Sequence, residues 1–219
     1  MLLLGVKNGN KKKAKFSVGL GMFDYINPIF YAITTFTIIH NMKDIMPRQL
    51  FIMFVIGATI SLIFGLTIPT VKVIVGLGKM QFKMPVNLVF YVNSGILISG
   101  IALVNYVEKI KPIIFILQLM LVIVALIFIV YKTKKFNTTA VLTGAVGYIL
   151  IYKSLITLAI RSNVTISIIL YAFAILLFIS LCLIGIKANL KNPKVHWVIE
   201  ISNVLCQMSV AISTLLLFK

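Results

Sequence analysis

Seven long apolar stretches separated by short basic loops dominate the sequence. A mostly uncharged run of about 18 or more apolar residues is long enough to cross a hydrocarbon core as an α-helix. Barrel strands would instead alternate in polarity over segments of about 10 residues. We therefore predict an all-α, polytopic membrane protein. Its predicted transmembrane helices cover residues 18–39, 49–71, 85–106, 112–131, 138–159, 164–186 and 195–217.

Composition agrees with lipid as the solvent, because a chain that is 61% hydrophobic and 11% charged cannot cover a water-soluble surface. The net charge of +17 would suggest nucleic acid in a soluble protein. Here the cations lie in short loops, where anionic headgroups and membrane topology account for them. We predict the lipid bilayer as a partner and no nucleic acid.

The distribution of lysine and arginine predicts the orientation, because these residues are retained on the cytoplasmic side of a membrane. Most of them fall in the N-terminal arm and in the second, fourth and sixth loops. They are Lys7, Lys11, Lys12, Lys13, Lys15, Lys72, Lys79, Lys83, Lys132, Lys134, Lys135, Lys187, Lys191 and Lys194. We predict a multi-pass protein of the cell (cytoplasmic) membrane with its N-terminus in the cytoplasm and its C-terminus outside.

A short motif occurs twice and indicates an internal repeat. The pattern K-x-x-x-K-x-P stands before the third predicted span, at Lys79–Pro85, and before the seventh, at Lys187–Pro193. Units four helices apart enter the membrane in the same direction, so the repeat would be parallel. We divide the chain into a basic cytoplasmic arm at 1–17 and a transmembrane domain at 18–219, with 3+1+3 units 18–106 and 138–217 and a linker helix 112–131.

Polar residues inside the spans are the candidate site, because a polar group without a partner in hydrocarbon costs several kcal/mol. On three predicted helices they recur at helical spacing along one side. These predicted substrate-binding residues are Asp24, Asn27, Tyr31, Asn87, Tyr91, Ser94, Glu200, Asn203 and Gln207. They either line a common cavity or act only as hydrogen-bonding glue between helices.

Two acids lie within the predicted spans, Asp24 and Glu200, and both lie towards the cytoplasmic side. If they meet, a proton or small cation would be bound between the two carboxylates. The alternative is that each is shallow and solvated, or is paired with a loop lysine such as Lys194.

Metal, cofactor and catalytic chemistry have little support in the sequence. Cys182 and Cys206 stand singly inside spans, and His40 and His196 fall at opposite membrane faces, so the two histidines cannot share a zinc ion. No paired nucleophile and base appears at one depth. We predict no metal, no cofactor, no catalytic residue and no enzymatic activity.

Small residues recur every four positions on the second span, at Gly57, Ser61 and Gly65. Such a ridge lets another helix approach closely. It serves either internal packing or a homo-oligomer interface.

Three functions fit these features. The first is a carrier or channel for a small polar or cationic solute. The second is a non-catalytic membrane partner, such as an assembly, immunity or regulatory subunit, whose polar residues only join helices. The third is a membrane-embedded enzyme acting on lipid, which lacks a catalytic motif.

Overall fold

The chain is helical in the part that the computed structural model describes, which comprises residues 17–77, 86–110, 113–114, 117–118, 120–121, 124, 136–187 and 193–219. We number the helices α1 Val18–Asp24, α2 Ile26–Met42, α3 Arg48–Gly76, α4 Val86–Val107, α5 Phe136–Arg161, α6 Thr165–Lys187 and α7 Pro193–Leu217. The predicted all-α class is confirmed for these residues. The N-terminal arm, most of 112–131, the first K-x-x-x-K-x-P copy and the middle of the second lie outside the described residues.

Within the described ranges, four helices are long and apolar enough to cross a membrane: Arg48–Gly76, Leu88–Val107, Thr139–Arg161 and Val195–Leu217. Large apolar side chains on their outer faces are exposed, such as Ile52, Ile63, Ile149 and Ile201. An apolar outer surface of this extent is compatible with a protein that is surrounded by lipid.

The first predicted span is interrupted at Tyr25. Pro28 has no amide hydrogen, and its ring conflicts with the carbonyl of the residue four positions earlier, which is Asp24. Accordingly α1 ends at Asp24 and α2 begins at Ile26. The interruption leaves the Asp24 side chain at the end of a helix but inside the protein, where the residue is 3% exposed.

Helices α3 and α4 run antiparallel and pack closely through small residues. The Ser61 hydroxyl donates to the carbonyl of Val92 at 2.9 Å, and the Ser99 hydroxyl donates to the carbonyl of Phe54 at 3.2 Å. A methyl group on Gly57 would lie only 2.6 Å from the Ser99 hydroxyl oxygen. The absence of a side chain at this position therefore sets how closely the two helices approach.

The ridge of Gly57, Ser61 and Gly65 is used inside the protein. Gly57 and Ser61 are buried against α4, and the nearest atom to an added methyl group on Gly65 is Cβ of Pro28, at 3.8 Å. This packing leaves the first two positions no room for a second copy of the chain.

Helices α4 and α5 run parallel. Near their beginnings Asn93 Nδ2 donates to the carbonyl of Ala140 at 2.7 Å, and at their ends Arg161 Nη1 donates to the carbonyl of Val107 at 2.8 Å. Gly147 lies between these two contacts, against the backbone of Leu97. Because α4 and α5 run parallel, the chain between them has to return to the end of the bundle at which α4 begins.

Helix α7 packs against α6 and also against α2. Helices α6 and α7 run antiparallel, with Ser167 and Ser213 each donating a hydroxyl hydrogen bond to the other's carbonyl, at 2.9 and 2.8 Å. One turn further along α6, the Tyr171 hydroxyl lies 2.9 Å from Thr214 Oγ1.

The two ends of the helix bundle differ in polarity. At one end α1, α4, α5 and α7 begin and α3 and α6 finish, and we call this the Lys72 end because Lys72 lies there. The core towards the opposite end is apolar and closely packed. Its buried side chains include Ile38, Met42, Leu50, Leu103, Leu155 and Leu217.

Candidate functional site: a buried ion cluster beside a central cavity

Three charged side chains from three helices meet inside the protein at the Lys72 end. Lys72 Nζ on α3 donates to Asp24 Oδ2 on α1 at 2.6 Å and to Glu200 Oε1 on α7 at 2.8 Å. Lys72 and Asp24 are each 3% exposed and Glu200 is 5% exposed. One ammonium group therefore bridges two carboxylates that lie far apart in the sequence.

An amide group joins the same two carboxylates through their other oxygens. Asn27 Nδ2 donates to Asp24 Oδ1 at 3.0 Å and to Glu200 Oε2 at 3.4 Å. With all three charged groups ionised, the cluster of Asp24, Lys72, Glu200 and Asn27 carries one more negative charge than positive charge. We call this set the Lys72 cluster.

The assignment of Lys72 to a cytoplasmic loop was wrong. Helix α3 continues to Gly76, beyond the predicted end of the span at residue 71, so Lys72 lies one turn inside the helix. Burying an ion costs several kcal/mol, and close partners of opposite charge offset that cost. Asp24 and Glu200 are those partners, and both pair with Lys72. The side chain of Lys194, the loop lysine predicted as a partner, lies outside the described residues.

A cavity of about 140 Å³ lies next to the Lys72 cluster. Its polar walls come from α1, α2, α3, α4, α5 and α7, and its remaining walls are mostly aliphatic and aromatic. The polar residues that line it are Asp24, Asn27, Tyr31, Ser61, Asn93, Tyr148, Asn203 and Gln207. This volume is close to that of engineered protein cavities that accept benzene.

Two polar atoms at the cavity have no hydrogen-bond partner among the described residues. They are Asn27 Oδ1 and the Tyr31 hydroxyl, and both residues are only 9% exposed. The Tyr31 hydroxyl lies near Ser61 and Ser99 without a hydrogen bond of acceptable geometry. Since buried polar groups in proteins are nearly always paired, these two atoms indicate where a ligand or water would bind.

The structure brings together six of the predicted site residues. Five of them line the cavity, namely Asp24, Asn27, Tyr31, Asn203 and Gln207, and Glu200 belongs to the adjoining Lys72 cluster. They come from the two ends of the chain, because α7 packs against α2.

Two of the three residues predicted from α4, Tyr91 and Ser94, are not among those that line the cavity. Tyr91 is 44% exposed and stacks on Phe64 with ring centroids 4.8 Å apart, and Ser94 is half-buried away from the cavity. The side chain of Asn87 lies outside the described residues. Among the described side chains of α4, the polar one that lines the cavity is Asn93.

Aromatic side chains form one side of the cavity. The rings of Tyr148 and Phe178 lie 5.3 Å apart between centroids, and Gln207 Nε2 donates to the Tyr148 hydroxyl at 3.1 Å. Cys206, at the same wall, has its sulfur 3.3 Å from the Tyr152 hydroxyl. Among the described residues there is no group of three or more His, Cys, Asp and Glu side chains arranged to hold a metal ion.

No protein-family model, curated protein sequence or solved structure matches the chain. The chemistry of the cavity and of the Lys72 cluster is therefore the basis for the function proposed below.

Proposed function

We propose that the protein is a multi-pass membrane carrier that binds a small polar or cationic solute in the central cavity. The observation that carries this proposal is the cavity itself, lined by amide and hydroxyl groups from several helices within an otherwise apolar bundle. Polar groups inside a membrane cost free energy, so a cavity lined by them indicates a binding function. In membrane carriers, solute sites lie between helices near the middle of the membrane.

The packing of α4 against α5 supports seven spans. Because these helices run parallel, the chain between Val107 and Phe136 has to return across the thickness of the bundle. The apolar stretch 112–131 is long enough for that crossing. Beside α4, Gln118 Oε1 accepts a hydrogen bond from Asn105 Nδ2 at 2.9 Å, and Leu117 and Leu121 are exposed as a lipid-facing linker would be.

The pairing of helices supports the parallel repeat. In the first proposed unit α3 packs on α4, and in the second α6 packs on α7. Across the units, α2 packs on α7 just as α5 packs on α4. Each of these four contacts thus has a counterpart under an exchange of the first three spans with the last three. The cavity lies between the two units, as expected for a carrier built from repeats.

The polar end and the apolar end of the bundle support alternating access. The cavity extends towards the Lys72 end, and the core towards the opposite end is closed by side chains such as Leu50, Leu103 and Leu155. A carrier opens its solute site first to one side of the membrane and then to the other. While the site is open to one side, tightly packed side chains would close the bundle towards the other side.

The proposal is tested by filling the cavity. Ala145 lines the cavity, and its neighbour Val146 is exposed on the outer face of α5. We expect at least one class in a panel of small cationic, zwitterionic, neutral and anionic solutes to raise the melting temperature of the purified protein. Ala145→Phe should abolish that shift, and Val146→Phe should retain it. At a concentration of 100 times Kd, binding adds about 2.7 kcal/mol of stability.

Transport is then measured with the solute found in that panel, as exchange into proteoliposomes. Uptake by the parent and by Val146→Phe, with none by Ala145→Phe, is the expected result. If no solute stabilises the parent, or if Ala145→Phe responds like the parent, the cavity is not a solute site and the proposal fails.

A non-catalytic membrane partner is the second candidate. One observation favours it, because the charges of Asp24, Lys72 and Glu200 pair with each other and so join three helices without any ligand. Under this function the cavity is a packing defect, and no member of the solute panel stabilises the parent protein.

A further inference from the structure

We propose that the solute is a small organic monocation, whose ammonium group binds at the Lys72 end of the cavity between Asp24 and Asn27. This inference rests on the proposed function and specifies its substrate class. It is carried by the charge of the Lys72 cluster, by an unpartnered atom and by the shape and chemistry of the cavity.

Charge balance favours a single positive charge. With all three groups ionised, two carboxylates share one ammonium group, so the Lys72 cluster has one excess negative charge on residues that are at most 5% exposed. An uncompensated buried charge is strongly unfavourable, and one bound monocation removes the imbalance. An anionic solute would double it, and a neutral solute would leave it unchanged.

An unpartnered atom places the cation on one side of Asp24. Asp24 lines the cavity while also bonding Lys72 through Oδ2 and Asn27 through Oδ1. Each carboxylate oxygen has a lone pair beyond the one these bonds use. Among the described residues, Asn27 Oδ1 is an acceptor without a donor. An ammonium group has three N–H donors, which is enough for hydrogen bonds to both Asp24 and Asn27 Oδ1.

The remaining walls suit an organic group rather than a bare metal ion. Rings of Tyr148 and Phe178 and aliphatic side chains such as Ile68 and Ile96 make up much of the lining. Calcium sites in proteins take several carboxylate ligands, whereas Asp24 is the one carboxylate among the described residues that line the cavity. A cavity of about 140 Å³ accepts a group of benzene size, and aromatic faces attract organic cations.

The chain contains its own optical reporter for this site. Trp197 is the single tryptophan of the chain, it lies one turn before Glu200 on α7, and its ring is 5.6 Å from that of Phe23, next to Asp24. Binding of a cation at Asp24 should change its fluorescence.

The test uses n-butylammonium chloride as the probe, with n-butanol and sodium butyrate as neutral and anionic analogues of matched length. The intact purified protein is titrated by Trp197 fluorescence and by calorimetry. We expect n-butylammonium to bind at least about tenfold more tightly than either analogue, because charge-assisted hydrogen bonds are the stronger ones. Sodium and potassium chloride at equal ionic strength should not compete.

Asp24→Asn removes the charge that faces the cavity and should weaken n-butylammonium binding by at least about tenfold. Asp44→Asn is the matched control, since it changes the net charge of the protein equally but lies in an exposed loop. The affinity of Asp44→Asn for n-butylammonium should stay within about twofold of the parent value.

Tyr31→Phe tests where in the cavity the ammonium group binds. The Tyr31 hydroxyl lies beside Ser61 and Ser99, away from Asp24 and Lys72, so its loss should leave n-butylammonium binding within about twofold of the parent value. A loss of about tenfold or more would place the ammonium group away from Asp24 and overturn the inference. If Asp24→Asn does not fold, the preference of the parent protein for n-butylammonium over n-butanol and butyrate decides the question.

Equal or tighter binding of n-butanol or butyrate would overturn the inference, as would competition by alkali ions. If the solute panel yields only a neutral or anionic ligand that Ala145→Phe abolishes, the organic-cation inference fails while the carrier proposal stands. If no solute of any class binds, both fail.

Discussion

Lys72 shows how much one side chain can depend on its two partners. Its ammonium group lies 2.6 Å from one carboxylate and 2.8 Å from another, with almost no contact with solvent. Replacing a whole buried ion pair by apolar residues is often tolerated, whereas removing one member leaves an uncompensated charge. The Lys72 cluster is therefore most sensitive to the loss of its only cation.

Lys72→Met should lower the free energy of unfolding by about 3–5 kcal/mol, because two carboxylates would then face each other in a buried site. The double variant Lys72→Met with Glu200→Gln should regain part of that loss, since one carboxylate charge remains, as in the parent cluster. Both are measured by thermal melting in nanodiscs.

Lys153→Met is the control for Lys72→Met. Lys153 also pairs with an acid, Glu108 at 3.2 Å, but its side chain is 56% exposed. Exposed pairs contribute about 0–1 kcal/mol, so the control should melt close to the parent. Equal effects of Lys72→Met and Lys153→Met would show that the buried lysine has no special structural role.

The sequence identifies the acids of the site better than its other residues. A carboxylate within an apolar span costs free energy unless it has a partner, so the sequence marks Asp24 and Glu200 as candidate site residues. The sequence does not mark Lys72 in this way, because a lysine at the end of a span is equally expected in a cytoplasmic loop. The apolar residues Val73, Ile74 and Val75, which follow it, are the signal that the helix continues.

Helix α4 shows why the side that lines the cavity is hard to predict from the sequence. Apolar residues occur all around this helix, so they do not mark the side that faces the cavity. The spacing of Asn87, Tyr91 and Ser94 suggested one face, and Asn93 lines the cavity from another. Tyr91 tolerates its exposed position because a tyrosine ring is largely apolar.

At the scale of helices, the glycines of the ridge formed by Gly57, Ser61 and Gly65 differ in how closely another helix approaches them, although their regular spacing does not show this difference. Gly57 faces the backbone of α4, whereas Gly65 faces a wider space next to Pro28. A spacing of four residues predicts that both share a side of α3, but it does not tell which position is crowded.

Gly57→Ala should therefore destabilise the protein by about 1–3 kcal/mol, as overpacking does, because its methyl group would lie 2.8 Å from the backbone nitrogen of Ser99. Gly65→Ala should be neutral or stabilising by up to about 1 kcal/mol, since alanine favours the helix and the nearest atom is 3.8 Å away. Chemical unfolding in mild detergent compares the two, and a larger loss for Gly65→Ala would contradict the close packing of α3 on α4.

At the scale of the whole molecule, the parallel packing of α4 and α5 is a non-local feature. Apolar runs predict how many helices there are, and basic loops predict which way they face, but neither tells which helices become neighbours. The contacts of α2 with α7 and of α4 with α5 join residues that are far apart in the chain, and those contacts form the cavity.

The proposed orientation makes a prediction for labelling in intact cells. In a background with Cys182 and Cys206 replaced by alanine, Asp44→Cys and Ser162→Cys should react with a membrane-impermeant maleimide. Leu77→Cys, at the Lys72 end, should react only after permeabilisation. The reverse pattern, or a C-terminal tag found in the cytoplasm, would contradict the proposed topology.

The order of synthesis gives the Lys72 cluster a further property. Asp24 and Lys72 emerge early and together are electrically neutral, so α1 and α3 can enter the membrane as a neutral pair. Glu200 follows 128 residues after Lys72, on the last helix. The second carboxylate of the Lys72 cluster is thus added only after the residues of the first six helices have been made, so Asp24 and Lys72 can already be paired when Glu200 joins them.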